Sequence, residues 1–362
     1  MPLKIVLYLL EWLLHQHCLT VNRSIIMQLN YTKMTKKRIV VICPGRGSYS
    51  RENSNYLVDS DFNLTSLIRS HDKVRLSEGL PSIIELDSGT FRTKTHMSGE
   101  NASPLIYACS LKDFFSIDQQ KYEVVAICGN SMGWYISLAL GGSLSYEDGF
   151  KLIQKMGTLS HENGEGGQII YPIVDDDWCK DEKLYESVLK EILKIGAKVS
   201  IKLGGYLVIA GLQNQLDHLL KKLPKIDKYP FQIPFHSAFH TELLERIPSL
   251  AESKIDRAIF SKPKIPLIDG RGNIWSPWST NVNELYRYTL NHQVINKYDF
   301  SSSVSVALKE FCPDHVVLLG PGNSLGGPVA QILINQQWNG LKSKEDFLNA
   351  QKINPYVVSM GI

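Results

Sequence analysis

The sequence predicts an α/β fold, a largely parallel sheet carrying an inserted subdomain of βαββαβ order. Three observations lead there. Two short apolar runs, Ile39-Val-Val-Ile42 and Val124-Val-Ala-Ile-Cys128, each pass directly into a glycine-rich turn, as strands buried on both faces do. Helical stretches with apolar stripes separate such runs. Between about Gly166 and Phe235 the pattern changes period repeatedly, in strand-helix-strand-strand-helix-strand order.

Taken in order, residues 1–33 join poorly to the strand pattern that begins near Arg38. Their apolar stretch Ile5-Val-Leu-Tyr-Leu-Leu-Glu-Trp-Leu-Leu14 is broken by Glu11 and is shorter than the ~20 residues that span a bilayer. No small-residue cleavage site comes after it. Residues 1–33 are therefore expected to be an extension outside the fold, and no membrane is expected. The first core strand ends at Pro44-Gly-Arg-Gly-Ser48; residues 49–100 are polar and weakly periodic and receive no element. Ser103-Pro104 is expected to open a helix running to Phe114. The second strand enters Gly129-Asn-Ser-Met-Gly133, followed by a helix over Trp134–Leu140.

Residues 166–235 form the expected subdomain. Strands fall at Gln168–Val174, Lys198–Ile201, Tyr206–Ala210 and Tyr229–Pro234, with helices at Glu182–Ile195 and Asn214–Leu223. The core is assigned to 36–165 and 236–340, closing on Val316-Val-Leu-Leu319 and Gly320-Pro-Gly-Asn-Ser-Leu-Gly326.

Composition narrows the function. With 43% hydrophobic and 21% charged residues, the 362-residue chain is too apolar for wholesale disorder. Thirty-nine Lys and Arg against 36 Asp and Glu is a near balance that calls for no nucleic acid. Six widely spaced cysteines without C-x-x-C, and ten histidines without H-E-x-x-H, point to free thiols in a reducing, cytoplasmic setting and to no metal.

Ser131 is the candidate nucleophile. A serine hydroxyl needs exposure on a sharp turn, a base, and N–H donors for the oxyanion. The strand-turn-helix setting of Gly129-Asn-Ser-Met-Gly133 offers the turn, and the Met132 amide the donor. His236 and His240 are the candidate bases. No Asp or Glu of obvious type completes a triad, so a Ser-His dyad is the simpler reading.

The set Pro44-Gly-Arg-Gly-Ser48, Gly129-Asn-Ser-Met-Gly133, Val208-Ile-Ala-Gly211, Ala238-Phe-His-Thr241 and Gly320-Pro-Gly322, spread over residues 36 to 335, resembles malonyl-CoA:acyl-carrier-protein transacylases. The resemblance implies a hydrolase-like three-layer core with a ferredoxin-like subdomain. It also implies a ping-pong reaction in fatty-acid or polyketide synthesis. Serine takes the acyl group from coenzyme A and passes it to the phosphopantetheine thiol of acyl carrier protein, with the coenzyme A thioester as substrate and no resident cofactor. By position, Ser131 corresponds to the nucleophile and His240 to the base, with His236 second. Gln293 corresponds to the residue whose carbonyl orients the histidine, and the Met132 and Arg46 amides to the oxyanion hole.

The chain departs from the family pattern at four positions. Asn130 replaces a histidine, Trp134 a glutamate, Arg46 a glutamine, and Met156 the arginine that clamps the malonyl carboxylate. Phe239 resembles the bulky residue that excludes α-branched acids. Malonyl transfer with Arg46 as substitute clamp is the expectation; an acyl-carrier-protein acyl hydrolase, or a transferase of uncharged short acyl groups, is the alternative. Lys221, Lys222, Lys225 and Lys228 are the expected docking face for the acidic carrier protein.

Overall fold

The computed structural model describes residues 36–362, so the expectation for residues 1–33 lies outside the described residues. Contacts divide the described residues into 36–37 with Asp118–Glu123, and Arg38–Ile117 with Val124–Ile362. Of the small unit, the description includes the Asp118–Glu123 turn, in which the Lys121 N–H donates to the Asp118 carbonyl at 3.1 Å. The buried centres of both sheets belong to the large unit.

Its main sheet has the order β11-β10-β1-β2-β7-β8, with β1 at Lys37–Cys43, β2 at Tyr122–Gly129, β7 at Leu267–Ile268, β8 at Ile274–Trp275, β10 at His315–Leu318 and β11 at Val357–Ser359. The pairs β1–β10, β10–β11 and β2–β7 are parallel, and the edge pair β7–β8 is antiparallel. Ile39 through Cys43 are fully buried. Successive residues of a strand face opposite sides, so this five-residue run with no exposed residue is covered on both faces.

The structure corrects three expectations. The sheet ends beyond residue 340: a helix at Lys344–Ile353 leads into β11, whose Val357 sits in register with Val316. A three-residue edge strand is too short to show a period. Residues 49–100 hold helices at Phe62–Ser77, Ile83–Ser88 and Thr93–His96. The first of these buries Asp72 and Arg75 beside its aliphatic residues, which hides its stripe. The helix expected at Ser103-Pro104 begins at Gly99, with Pro104 inside it. Pro104 has no N–H to give the Glu100 carbonyl one turn back. That carbonyl instead accepts from Arg75 Nη1 at 2.8 Å and Gln154 Nε2 at 3.0 Å.

The second sheet has the order β6-β3-β5-β4-β9. Its strands β3 (Gly167–Pro172), β4 (Lys198–Leu203), β5 (Tyr206–Gly211) and β6 (Phe231–Gln232) alternate with helices at Glu182–Lys194 and Gln213–Lys222. The β3–β5, β3–β6 and β4–β5 pairs are antiparallel. A fifth strand, β9 (Tyr298–Asp299), comes from outside residues 166–235 and lies parallel to β4. The sheet is therefore shared with the core segment, which two residues could not announce in sequence.

Side-chain alternation in this sheet decides where the site lies. Ile169, Tyr171, Leu207 and Ile209 face the two helices and pack with Val188, Ile192, Leu216 and Leu219. Their neighbours Gln168, Ile170 and Val208 point the other way, into a cavity also walled by Ile201 and Leu203. One face holds the subdomain together, and the other walls the pocket.

Candidate active site

The cavity measures about 220 Å³ and brings together Arg46, Asn130, Ser131, Met132, Met156, His236, Phe239, His240 and Gln293. Every candidate site residue lines it. Ser131 sits at φ +55°, in the left-handed region that a non-glycine residue occupies only when its surroundings hold it there. Those surroundings require glycine. A Cβ on Gly129 would overlap the Gly133 backbone, and one on Gly133 would overlap the Cys43 carbonyl. The strand and the helix Gly133–Leu140 thus meet closely enough to thrust the serine outward.

His240 lies opposite, also at positive φ (+59°), its N–H held by the Val294 carbonyl at 2.9 Å. Ser131 Oγ is 2.8 Å from His240 Nε2, and His240 Nδ1 is 2.6 Å from the Gln293 carbonyl oxygen. A carbonyl can only accept, so Nδ1 carries the proton and Nε2 presents its lone pair to the serine. The Gln293 carbonyl is available because its helix stops at Ile295, leaving last-turn acceptors without intrahelical donors. Burial pushes the imidazole down to about 4, against a smaller upward effect of that carbonyl. His240 is neutral at physiological pH, ready to accept a proton.

His236, four residues earlier, is placed elsewhere. Its Nδ1 lies 2.8 Å from Gln168 Oε1 and its ring meets the edge of Phe239. Of the two sequence candidates, only His240 reaches Ser131.

The Met132 and Arg46 N–H groups donate to no other group among the described residues, so both stay open for an oxyanion, Met132 at the positive end of a helix. Asn130 lines the pocket with a buried, unpartnered Oδ1. Met156, 3% exposed, forms an apolar wall together with Ile153, Ile170, Ile201, Leu203 and Val208.

Arg46 is the only described cation in a lining that contains no carboxylate. Its Nη2 donates to the Phe235 carbonyl at 2.6 Å, and its guanidinium lies 4.6 Å above the Phe239 ring. Its Nε is buried without a partner. Burial pulls its pKa down to about 10. It remains charged, with no counter-ion among the described residues.

Two further positions in contact with these residues carried no expectation. Tyr135 donates to Gln293 Oε1 at 2.7 Å; it stands one helical turn after Ser131, a spacing that signals a shared face. Tyr298 donates to the Gly129 carbonyl at 2.6 Å, and its ring tilts against His240 at 5.3 Å. Its distance along the chain from both partners left no local signal.

No family-level sequence model matches the chain. Among curated proteins, the malonyl CoA-acyl carrier protein transacylase of Staphylococcus aureus (strain MSSA476) is 22% identical over 313 residues, covering 85% of this chain and 97% of its own. The chain resembles malonyl-CoA:acyl-carrier-protein transacylases along most of its length. Solved structures agree with the family's fold. The Synechocystis sp. PCC 6803 malonyl-CoA:ACP transacylase aligns with a TM-score of 0.69 at 15% identity, over 83% of this chain and 94% of its own. The acyltransferase domain from the second module of the salinomycin polyketide synthase aligns at 0.65 and 15% identity, over 87% and 72%. Among the described residues, no helix is long and apolar enough to cross a membrane.

Proposed function

We propose that this protein moves a malonyl group from coenzyme A to the phosphopantetheine thiol of acyl carrier protein, in fatty-acid or polyketide synthesis. His240 Nε2 takes the hydroxyl proton as Ser131 Oγ attacks the thioester carbonyl. The Met132 and Arg46 N–H groups receive the developing oxyanion. Collapse of that intermediate breaks the C–S bond, and the proton on His240 leaves with coenzyme A as its thiol. In the second half-reaction the carrier thiol gives its proton to His240 and attacks the seryl ester, and Ser131 recovers its proton. The Gln293 carbonyl stabilises the imidazolium that forms in each half, in the position a triad carboxylate takes elsewhere. Unpaired cysteines at 43, 109 and 128, all buried, suit a reducing cytoplasm.

One observation favours malonyl over a neutral acyl group. A half-buried guanidinium whose buried Nε has no partner faces a cavity with no acidic side chain among the described residues. Such a charge is costly unless the substrate brings its partner, and a carboxylate fits the planar fork of donors. Met156 supports the second reading, an uncharged short acyl group, because it puts a flexible apolar wall where the family's clamp would stand. Intact-mass measurement after mixing with equal malonyl-CoA and acetyl-CoA tests the choice. A malonyl adduct on Ser131 that holo-acyl carrier protein discharges is the expected result. A predominantly acetyl adduct overturns the malonyl reading, and discharge to water in the presence of carrier protein identifies a hydrolase.

A further inference from the structure

The pocket holds a second ionisable group that the acyl-transfer steps do not use. Three contacts fix the protonation of the His236 ring. Gln168 places its amide nitrogen 2.6 Å from Ser200 Oγ and 3.5 Å from the Phe239 carbonyl. Ser200 Oγ spends its own proton on that same carbonyl, at 2.8 Å. A carbonyl there demands the nitrogen end of the amide, so Oε1 faces His236 and Nδ1 must be the protonated ring atom.

Nε2 is then a bare acceptor on the pocket side, 3.9 Å from where a Cβ on Gly47 would sit. The titratable groups around the ring are Arg46 on the first glycine loop and His240 on its own loop, and both disfavour a second positive charge. Gln168 on β3 and Phe239 are neutral. With the site empty, burial and these neighbours keep the ring uncharged.

A carboxylate seated on Arg46 reverses that balance. It cancels the guanidinium's repulsion and offers an acceptor to a proton on Nε2. Resting on the malonyl reading, we propose that His236 is the proton-dependent half of a carboxylate clamp with Arg46, taking up a proton when the acyl group carries a carboxylate and staying neutral when it does not. His236 then acts as a specificity-determining residue: falling pH favours acids over neutral acyl groups.

Proton balance tests this directly. Forming the seryl ester from a thioester and releasing coenzyme A as its thiol moves no net proton at neutral pH. Extra uptake must come from the protein. Single-turnover acylation in weak buffer with an indicator dye should show uptake approaching about one proton per malonyl-enzyme near pH 7 and none for acetyl-enzyme. His236→Gln, which cannot ionise, should lose the uptake. It should also flatten the pH dependence of the malonyl-to-acetyl rate ratio, which in the wild type should rise several-fold from pH 8 to pH 6. Malonyl acylation without proton uptake, or uptake that persists in His236→Gln, overturns the proposal and leaves the malonyl reading intact. A wild type that prefers acetyl-CoA throughout overturns both.

Discussion

The Gln293 side-chain amide donates to the Ser131 backbone carbonyl at 3.0 Å, while the Gln293 main-chain carbonyl accepts from His240. One residue therefore fixes the His240 ring through its backbone and the strained turn at Ser131 through its side chain. Tyr135 holds that side chain from the other end, at 2.7 Å.

Gln293→Ala separates the two roles. The carbonyl to His240 survives, but the Ser131 turn loses its tie and the buried Tyr135 hydroxyl loses its acceptor. Leaving such a group unpaired costs about 1–3 kcal/mol. Acylation by malonyl-CoA should slow about tenfold or more and thermal unfolding should shift down by several degrees. Tyr135→Phe combined with Gln293→Ala should recover part of the stability loss but not the rate. Calorimetry and single-turnover kinetics on both variants check this; full recovery of rate would show that the tie to Ser131 is immaterial.

The low pKa of His240 sets an acid limit. Its folded value of about 4 lies below the ordinary 6.5, so the unfolded chain protonates first as pH falls. The stability contributed by a neutral His240 is complete above about pH 6.5 and is lost progressively down to about pH 4. His71, also held at about 4 chiefly by burial, with Arg75 adding to the effect, acts in the same direction. Acylation by acetyl-CoA, which carries no carboxylate, should stay nearly level from neutral pH to about pH 5 and then fall. A half-maximal rate near pH 6.5 would contradict the buried-base assignment.

Arg46→Ala should cut malonyl acylation tenfold or more, about 1.4 kcal/mol in the barrier, and change acetyl acylation less. The comparison of the two acyl-CoA substrates on wild type and variant measures the clamp alone, since both use the same Ser131 and His240. Equal losses would assign Arg46 to the oxyanion loop rather than to the carboxylate.

Lys221, Lys222, Lys225 and Lys228 are all exposed, at the end of the Gln213–Lys222 helix and in the turn before β6, whose chain continues to Ile233 and His236 in the pocket wall. Charge reversal at Lys221 and Lys222 should slow transfer to the acidic carrier protein more than self-acylation, and more at low salt. Equal effects on both half-reactions would remove the docking role.

The parallel core and the sharp turn that presents Ser131 were legible in sequence because both depend on neighbours in the chain. Ile39–Ile42 and Val124–Cys128 announce buried strands through an unbroken apolar run, and Gly129 and Gly133 announce a turn that tolerates no Cβ. The alternation that turns Ile169 and Tyr171 to the helices and Gln168 and Ile170 to the pocket is also written locally, in a period of two. Other features depend on residues far apart in sequence, and only the tertiary structure decided them. Three residues separate His236 from His240, and which one faces Ser131 was set by the backbone turn at His240 and its bond to Val294, 54 positions away. Strands β9 and β11 are two and three residues long, too short for a period, and exist because β4 and β10 offer them an edge. Arg46 reads in sequence as a substitution in a glycine loop. Its lack of a counter-ion became visible only when folding enclosed it among Phe235, Phe239 and a pocket without a carboxylate. A local pattern can specify a strand or a turn, but the partner of a buried charge is a property of the whole enclosure.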